Sequence, residues 1–235
     1  PAPLNMAQAS VALVGDNSIF GFVSPVRGGR YRFSIEQTQG TASFTTVTAD
    51  WRRYFAPTKN LTVGIRTVHY GRYGLSPEES TSDGFGMLRP LFLGYETFIR
   101  GYAYESFSAS ECSPPGSNSN GACMAFNRLQ GQQLAVANLE LRVPLVGVEQ
   151  YGLINFQFVP VELVAFADAG LAWDSDNPPV LAFSRSGYER VPVFSTGISA
   201  RFNVLGFLIL EAYYAYPWQR PQKSWHWGFN IAPGW

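Results

Sequence analysis

The segment Ser224 to Trp235 alternates with a period of two. Trp225, Trp227, Phe229, Ile231 and Trp235 share one face, and Ser224, His226, Gly228 and Asn230 share the other. That period belongs to an extended strand whose two faces meet different surroundings. Three tryptophans on a single face suit lipid contact with an interfacial girdle better than they suit a soluble sheet.

The same pattern recurs along the chain. Arg30, Arg32, Ser34 and Glu36 oppose Tyr31, Phe33 and Ile35, while Asn138, Glu140 and Arg142 oppose Ala137, Leu139, Leu141 and Val143. Glu162 and Asp168 oppose Leu163, Ala165, Ala167, Ala169 and Leu171. Ser195, Gly197, Ser199, Arg201 and Asn203 oppose Phe194, Thr196, Ile198, Ala200 and Phe202. Glu211 and Tyr213 oppose Leu208, Leu210, Ala212 and Tyr214. Less regular strands are predicted over Ala42–Phe55 and Leu61–Tyr73, with a weak first strand near Ala7–Gly15. The total is eight or nine strands of roughly 10–13 residues, longer than the 5–6 usual in soluble sheets and close to the 9–11 that cross a bilayer.

Composition narrows the class. Among 235 residues, 17 are basic and 17 acidic, which argues against a nucleic-acid partner. Charged residues make up 14% and aromatic residues 15%. No apolar run approaches the roughly 20 residues of a membrane helix. A soluble β-sandwich or a transmembrane antiparallel β-barrel remains, and strand length favours the barrel, with the polar face lining its interior. Glu140, Arg142, Glu162 and Arg201 are the interior polar candidates. The sequence begins at Pro1 without a visible leader, so the expectation is a mature chain or the remnant of a longer one.

Connections alternate in length, as in outer-membrane barrels. Asn203–Gly206 and Ala56–Asn60 suit tight periplasmic turns, and Gly15–Val26 and Pro144–Pro160 longer ones. Thr38–Thr41, Trp173–Arg190, Pro217–Lys223 and Gly74–Gln132 suit the outside. The last is too long for a passive connection. Cys112 and Cys123 flank a polar part of it, and a local disulfide is the better reading, with two free thiols as the alternative. The same loop carries Ile99, Arg100, Gly101 and Tyr102. Gly101 permits a sharp turn that leaves Arg100 at a tip. A guanidinium inside a barrel needs an anion or an aromatic face. Asp168, two residues from Phe166 on one inward face and followed by Gly170, supplies both.

Phe98-Ile99-Arg100-Gly101-Tyr102 followed by Phe166-Ala167-Asp168-Ala169-Gly170 resembles the outer-membrane assembly superfamily of BamA, TamA and FhaC, the bacterial surface antigen family. Pro25-Val26-Arg27-Gly28-Gly29-Arg30-Tyr31 looks like the start of a strand midway through such barrels. Asn138-Leu139-Glu140-Leu141-Arg142-Val143-Pro144 looks like the strand after the arginine loop, and Tyr214-Ala215-Tyr216-Pro217 like the end of the penultimate strand. A terminal aromatic, here Trp235, also fits.

The resemblance implies an arginine loop docked on the acidic strand, and work on polypeptide assembly or transport at the bacterial outer membrane. It implies one barrel domain over residues 1–235, matching the C-terminal half of a sixteen-stranded family barrel, with its long outer loop over residues 74–132. Partners would be membrane lipids or lipopolysaccharide, client polypeptides, and missing N-terminal strands or a second copy to complete the wall. An eight-stranded barrel is filled by its own side chains. A loop bearing Arg100 therefore stays outside such a barrel or enters a larger one. In the assembly reading, Gly228 weakens the pairing of the last strand and Pro233 removes a donor from it. A passive barrel anchoring a partner or fused domain is the alternative.

Catalysis has little support. Ser224 and His226 lie on one face of a predicted strand, at a spacing of some 6–7 Å that is too long for a direct nucleophile–base bond. A barrel hydrolase is thus a remote third reading. No cofactor is implied. Asp174-Ser175-Asp176-Asn177 lacks the glycine and distal glutamate of a calcium loop and reads as a solvated turn.

Overall fold

The computed structural model describes residues 5–75, 88–112, 123–147, 152–156, 159–183, 189–222 and 224–231. Trp235 and Pro233 lie outside them. Among the described residues nine strands make a single antiparallel wall: β1 (Met6–Asp16), β2 (Pro25–Gly40), β3 (Phe44–Thr58), β4 (Leu61–Tyr73), β5 (Gln133–Gly147), β6 (Val161–Trp173), β7 (Val193–Val204), β8 (Leu208–Pro217) and β9 (His226–Ile231). Each pairs with its neighbours in chain order, so the wall is an unbroken meander. Among the described residues β1 and β9 are not paired with each other.

Alternation sets the two faces. Glu140, Arg142, Glu162, Asp168, Arg201 and Glu211 are buried, whereas Leu139, Leu141, Leu163, Ile198, Trp227 and Phe229 are exposed. Apolar side chains outside and charges inside invert a soluble sheet, as a wall facing lipid requires. The fold is the expected antiparallel membrane-barrel type. The wall also curves. In a flat sheet β2 and β5 would stand about 14 Å apart, at ~4.8 Å per strand. Arg142 of β5 nevertheless donates from Nη1 to Pro25 O at 3.1 Å and reaches Ser24 Oγ at 3.2 Å.

Tight turns sit at one end. Leu205 and Gly206, both at positive φ, join β7 to β8 in a turn whose backbone twist matches that of the strands. The other end carries the long connection between β4 and β5. Its described parts do not project away from the wall. Leu91–Phe92 pairs with Gln130–Gly131, and the one-turn helices α1 (Ala109–Cys112) and α2 (Met124–Asn127) are joined by the Cys112–Cys123 disulfide. Leu93, Ile99, Tyr102 and Leu129 of this connection form one apolar cluster with Val68, Leu134, Val136, Ala172 and Val193 of the wall. Interior contents are therefore layered, with an apolar layer under the long loops and a charged layer below it. The nine strands among the described residues do not close on themselves, and the loop lies in their concavity, which removes the crowding expected of a small barrel.

Candidate functional site: the loop tip in the lumen

Arg100 is 2% exposed and lies on the inner face of the wall. Gly101, at φ +84°, makes the turn that points it there. A side chain on Gly101 would stand 3.1 Å from Ala215 Cβ, so the tip also needs glycine for the close approach to β8. Asp168 of β6 receives three bonds from Arg100: Nε at 2.8 Å, Nη2 at 2.8 Å and the backbone N–H at 3.2 Å. Nη1 reaches Glu140 of β5 at 2.9 Å and Glu211 of β8 at 3.2 Å. The guanidinium carbon stands 3.6 Å from the centre of the Phe166 ring. A planar donor fork meeting a carboxylate edge-on and an aromatic face flat-on is a task for arginine rather than lysine. Burial alone would lower the Arg100 pKa, but Asp168, Glu140 and Glu211 outweigh it and hold the group above its ordinary value.

Neighbouring residues fix this pair in place. Asn138 of β5 donates 2.8 Å bonds to both Phe98 O and Asp168 Oδ1, which binds loop to carboxylate. Gly170 gives the loop a slot, because a Cβ there would lie 2.2 Å from Ile99 Cδ1 and 2.9 Å from Leu93 Cδ1. Tyr102 donates to Phe194 O at 3.1 Å and accepts from the Gln219 N–H at 3.2 Å. Arg66 of β4 holds the loop from the other flank, donating to Thr97 O at 2.7 Å while paired with Asp50 at 2.9 Å.

Below the tip, ion pairs continue toward the tight turns. Arg201 of β7 donates to both oxygens of Glu140, at 2.7 and 2.9 Å, and to Glu211 at 3.1 Å. Arg142 meets Glu140 Oε2 at 2.8 Å, with its guanidinium laid over Gly64. Glu162 takes a 2.6 Å bond from Ser24 and stands 3.8 Å from Arg201. Four strands and two loops are thus crossed by a single charge network.

The residues singled out in the sequence fall into separate places. Ile99, Arg100, Gly101, Tyr102, Phe166, Asp168, Gly170, Glu140, Arg142, Glu162 and Arg201 converge on the lumen. Cys112 and Cys123 lie above it, and Trp225, Trp227 and Phe229 lie on the far, outward side of β9 and the residues before it. Glu211, Asn138, Ser24 and Arg220 were not among the site candidates. The inward register of Glu211 and Asn138 was legible, but Arg220 sits in a turn with no periodicity to mark it.

Two expectations need correction, and a third gains a contact the sequence did not show. Ser224 Oγ and His226 Nε2 lie 3.1 Å apart, because Ser224 precedes β9 and is not held at the strand spacing. No carboxylate among the described residues bonds the other imidazole nitrogen, so no triad results. Asp174 is not solvated: it is 4% exposed, accepts bonds from Asp176 N and Asn177, and pairs with Arg190 at 3.4 Å. Gly228 is no mere weak point. The Tyr213 ring covers it, reaching within 2.0 Å of where its Cβ would be, so the missing side chain is what admits the aromatic cover.

A curved, inside-polar meander with an arginine loop seated in it defines the wall of a membrane β-barrel. The Omp85 superfamily domain matches residues 8–234, and the chain belongs to that superfamily. The fold is similar to the crystal structure of BamA from Haemophilus ducreyi lacking POTRA domains 1–3, with a TM-score of 0.54 and 16% identity. That match covers 95% of this chain and 42% of the other, so the chain spans less than half the length of the structure it resembles. No curated protein matches it.

Proposed function

We propose that this chain is the C-terminal wall of a bacterial outer-membrane barrel that assembles or moves other polypeptides, with the Arg100 tip setting the shape of the wall. The observation that carries this reading is the burial of one loop guanidinium among carboxylates from β5, β6 and β8. One side chain thereby fixes the relative positions of three strands and the loop. The edge of β9 supports a client-facing role: β9 is six residues long, pairs only with β8, and leaves its other edge without a partner among the described residues. Such an edge can add a strand from another polypeptide.

Nine strands bear on how the wall closes. In an antiparallel meander of odd number, β1 and β9 run in the same direction. A second copy inserted the same way up would offer β9 parallel to β1. All-antiparallel closure instead requires an odd number of further strands, so we assign completion of the wall to such strands rather than to a second copy.

Reconstitution of the complete protein into vesicles with an unfolded barrel client tests the reading. Wild-type protein accelerates client assembly over protein-free vesicles, and Arg100→Ala loses most of that acceleration. Failure of the wild type to accelerate any client would leave a passive membrane anchor.

A further inference from the structure

The long loop is held at a second place, outside the charged layer, by the turn between β8 and β9. Arg220 in that turn is 1% exposed. It donates to Glu111 Oε1 at 2.9 Å, to Gly101 O at 3.0 Å and to Ser106 Oγ at 2.7 Å, and it bonds Glu111 Oε2 and Ser106 O as well. Its guanidinium carbon lies 4.1 Å from the centre of the Phe107 ring. The adjacent Gln219 engages Tyr102 and accepts from the Phe194 N–H at 2.7 Å. The turn therefore holds the residue directly after the arginine tip and, through Glu111, a helix further along the loop.

Glu111 sits on α1, which has only four residues. A single turn cannot hold itself in water. Its supports are a 3.0 Å bond from the Ser108 N–H to Glu111 Oε2 and the disulfide from Cys112 to Cys123. Cys123 leads into α2, whose Ala125 is buried and which is followed by Leu129 of the apolar cluster. Mechanical support thus runs from the wall core through the disulfide to Glu111, from Glu111 to Arg220, and from Arg220 into the start of β9. Among the described residues β9 pairs on one side only, and its other ties at that end run to β8, where Trp225 and Trp227 stack on Tyr214.

We infer that Arg220 and Gln219 latch the loop to the last hairpin, with the Cys112–Cys123 disulfide bracing Glu111 in the latch. Displacing the loop and loosening β9 are then a single event. This inference is independent of the client-assembly reading, because it concerns only how two parts of the chain move together.

Hydrogen exchange of the complete protein in lipid vesicles reads it. Arg220→Gln should raise exchange about tenfold or more both in the loop around residues 102–111 and in β9, while β5 and β6 stay protected. If Arg220→Gln fails to assemble, Glu111→Gln carries the same expectation, since it removes the charge and keeps the side-chain volume. Cys112→Ser with Cys123→Ser should produce a smaller rise in the same two regions. Loosening of the loop with β9 at its wild-type rate would overturn the latch, as would unchanged exchange in both.

Discussion

Removing Arg100 should expose how much of the wall depends on one side chain. Three guanidiniums, Arg100, Arg142 and Arg201, face four carboxylates, Glu140, Glu162, Asp168 and Glu211, so the layer carries one negative charge in excess. Without the Arg100 side chain the excess becomes two, and Asp168 loses two bonds at once. Each contact is worth about 4 kcal/mol of gross attraction at an effective dielectric near 20, most of it offset by desolvation. What a truncation measures is the charge left behind, about 3–5 kcal/mol for a buried pair against ~0–1 for an exposed one. Arg100→Ala and Asp168→Ala should each cost about 3–5 kcal/mol. Removing both returns the excess to one, so the double variant should cost about 2 kcal/mol or more less than the sum. Arg100→Lys should recover only part, because an ammonium cannot span Asp168 edge-on and stack on Phe166 together. Urea unfolding in lipid vesicles, followed by tryptophan fluorescence and by the gel mobility of the unheated barrel, measures all four. Simple additivity of the two alanine variants would show that the energetic link between loop and wall does not run through this pair.

Gly170→Val should drive Ile99 and Leu93 off the wall, costing about 1–3 kcal/mol of overpacking and opening the loop to limited proteolysis. Proteolysis at wild-type rate would refute the slot. Spin labels at Trp227 and Asn230 should differ in access, with oxygen favouring the first and a water-soluble relaxant the second; equal access would remove the lipid-facing assignment of β9. Burial by itself would raise the Glu111 pKa, but the bonds from Arg220 and Ser108 bring it below its ordinary 4.5. A depressed folded value means stabilisation that is complete above the unfolded value and lost as pH falls through the folded one. Loop protection should therefore hold from neutral pH down past 4.5 and fail only at lower pH. Glu111→Gln should flatten that dependence, and an unflattened curve would assign it to another group. Mass spectrometry of unreduced peptides should find Cys112 linked to Cys123, and two alkylatable thiols would contradict the link.

Period-two alternation made the strands and their faces legible, because which side of a strand a residue occupies depends only on its immediate neighbours; their lengths run from 6 to 16 residues instead of the roughly 10–13 expected. Leu61–Tyr73 was predicted with the bounds it has, and the inward sides of Glu140, Asp168 and Arg201 follow from counting. Gly101 marked the tip for an equally local reason, its freedom to take positive φ. What alternation cannot supply is depth along the barrel and convergence between distant strands. Glu211 stands 111 residues from Arg100, and Arg220 stands 109 from Glu111. Their meeting depends on the register of every intervening strand pair and on the curvature of the wall. Ser224 and His226 show the same limit at short range, since their bond depends on where β9 begins. Local chemistry determined which residues could enter the lumen. Only the closed set of strand registers decided which carboxylates surround Arg100, and only the folding of the loop into the concavity brought the last hairpin under its control.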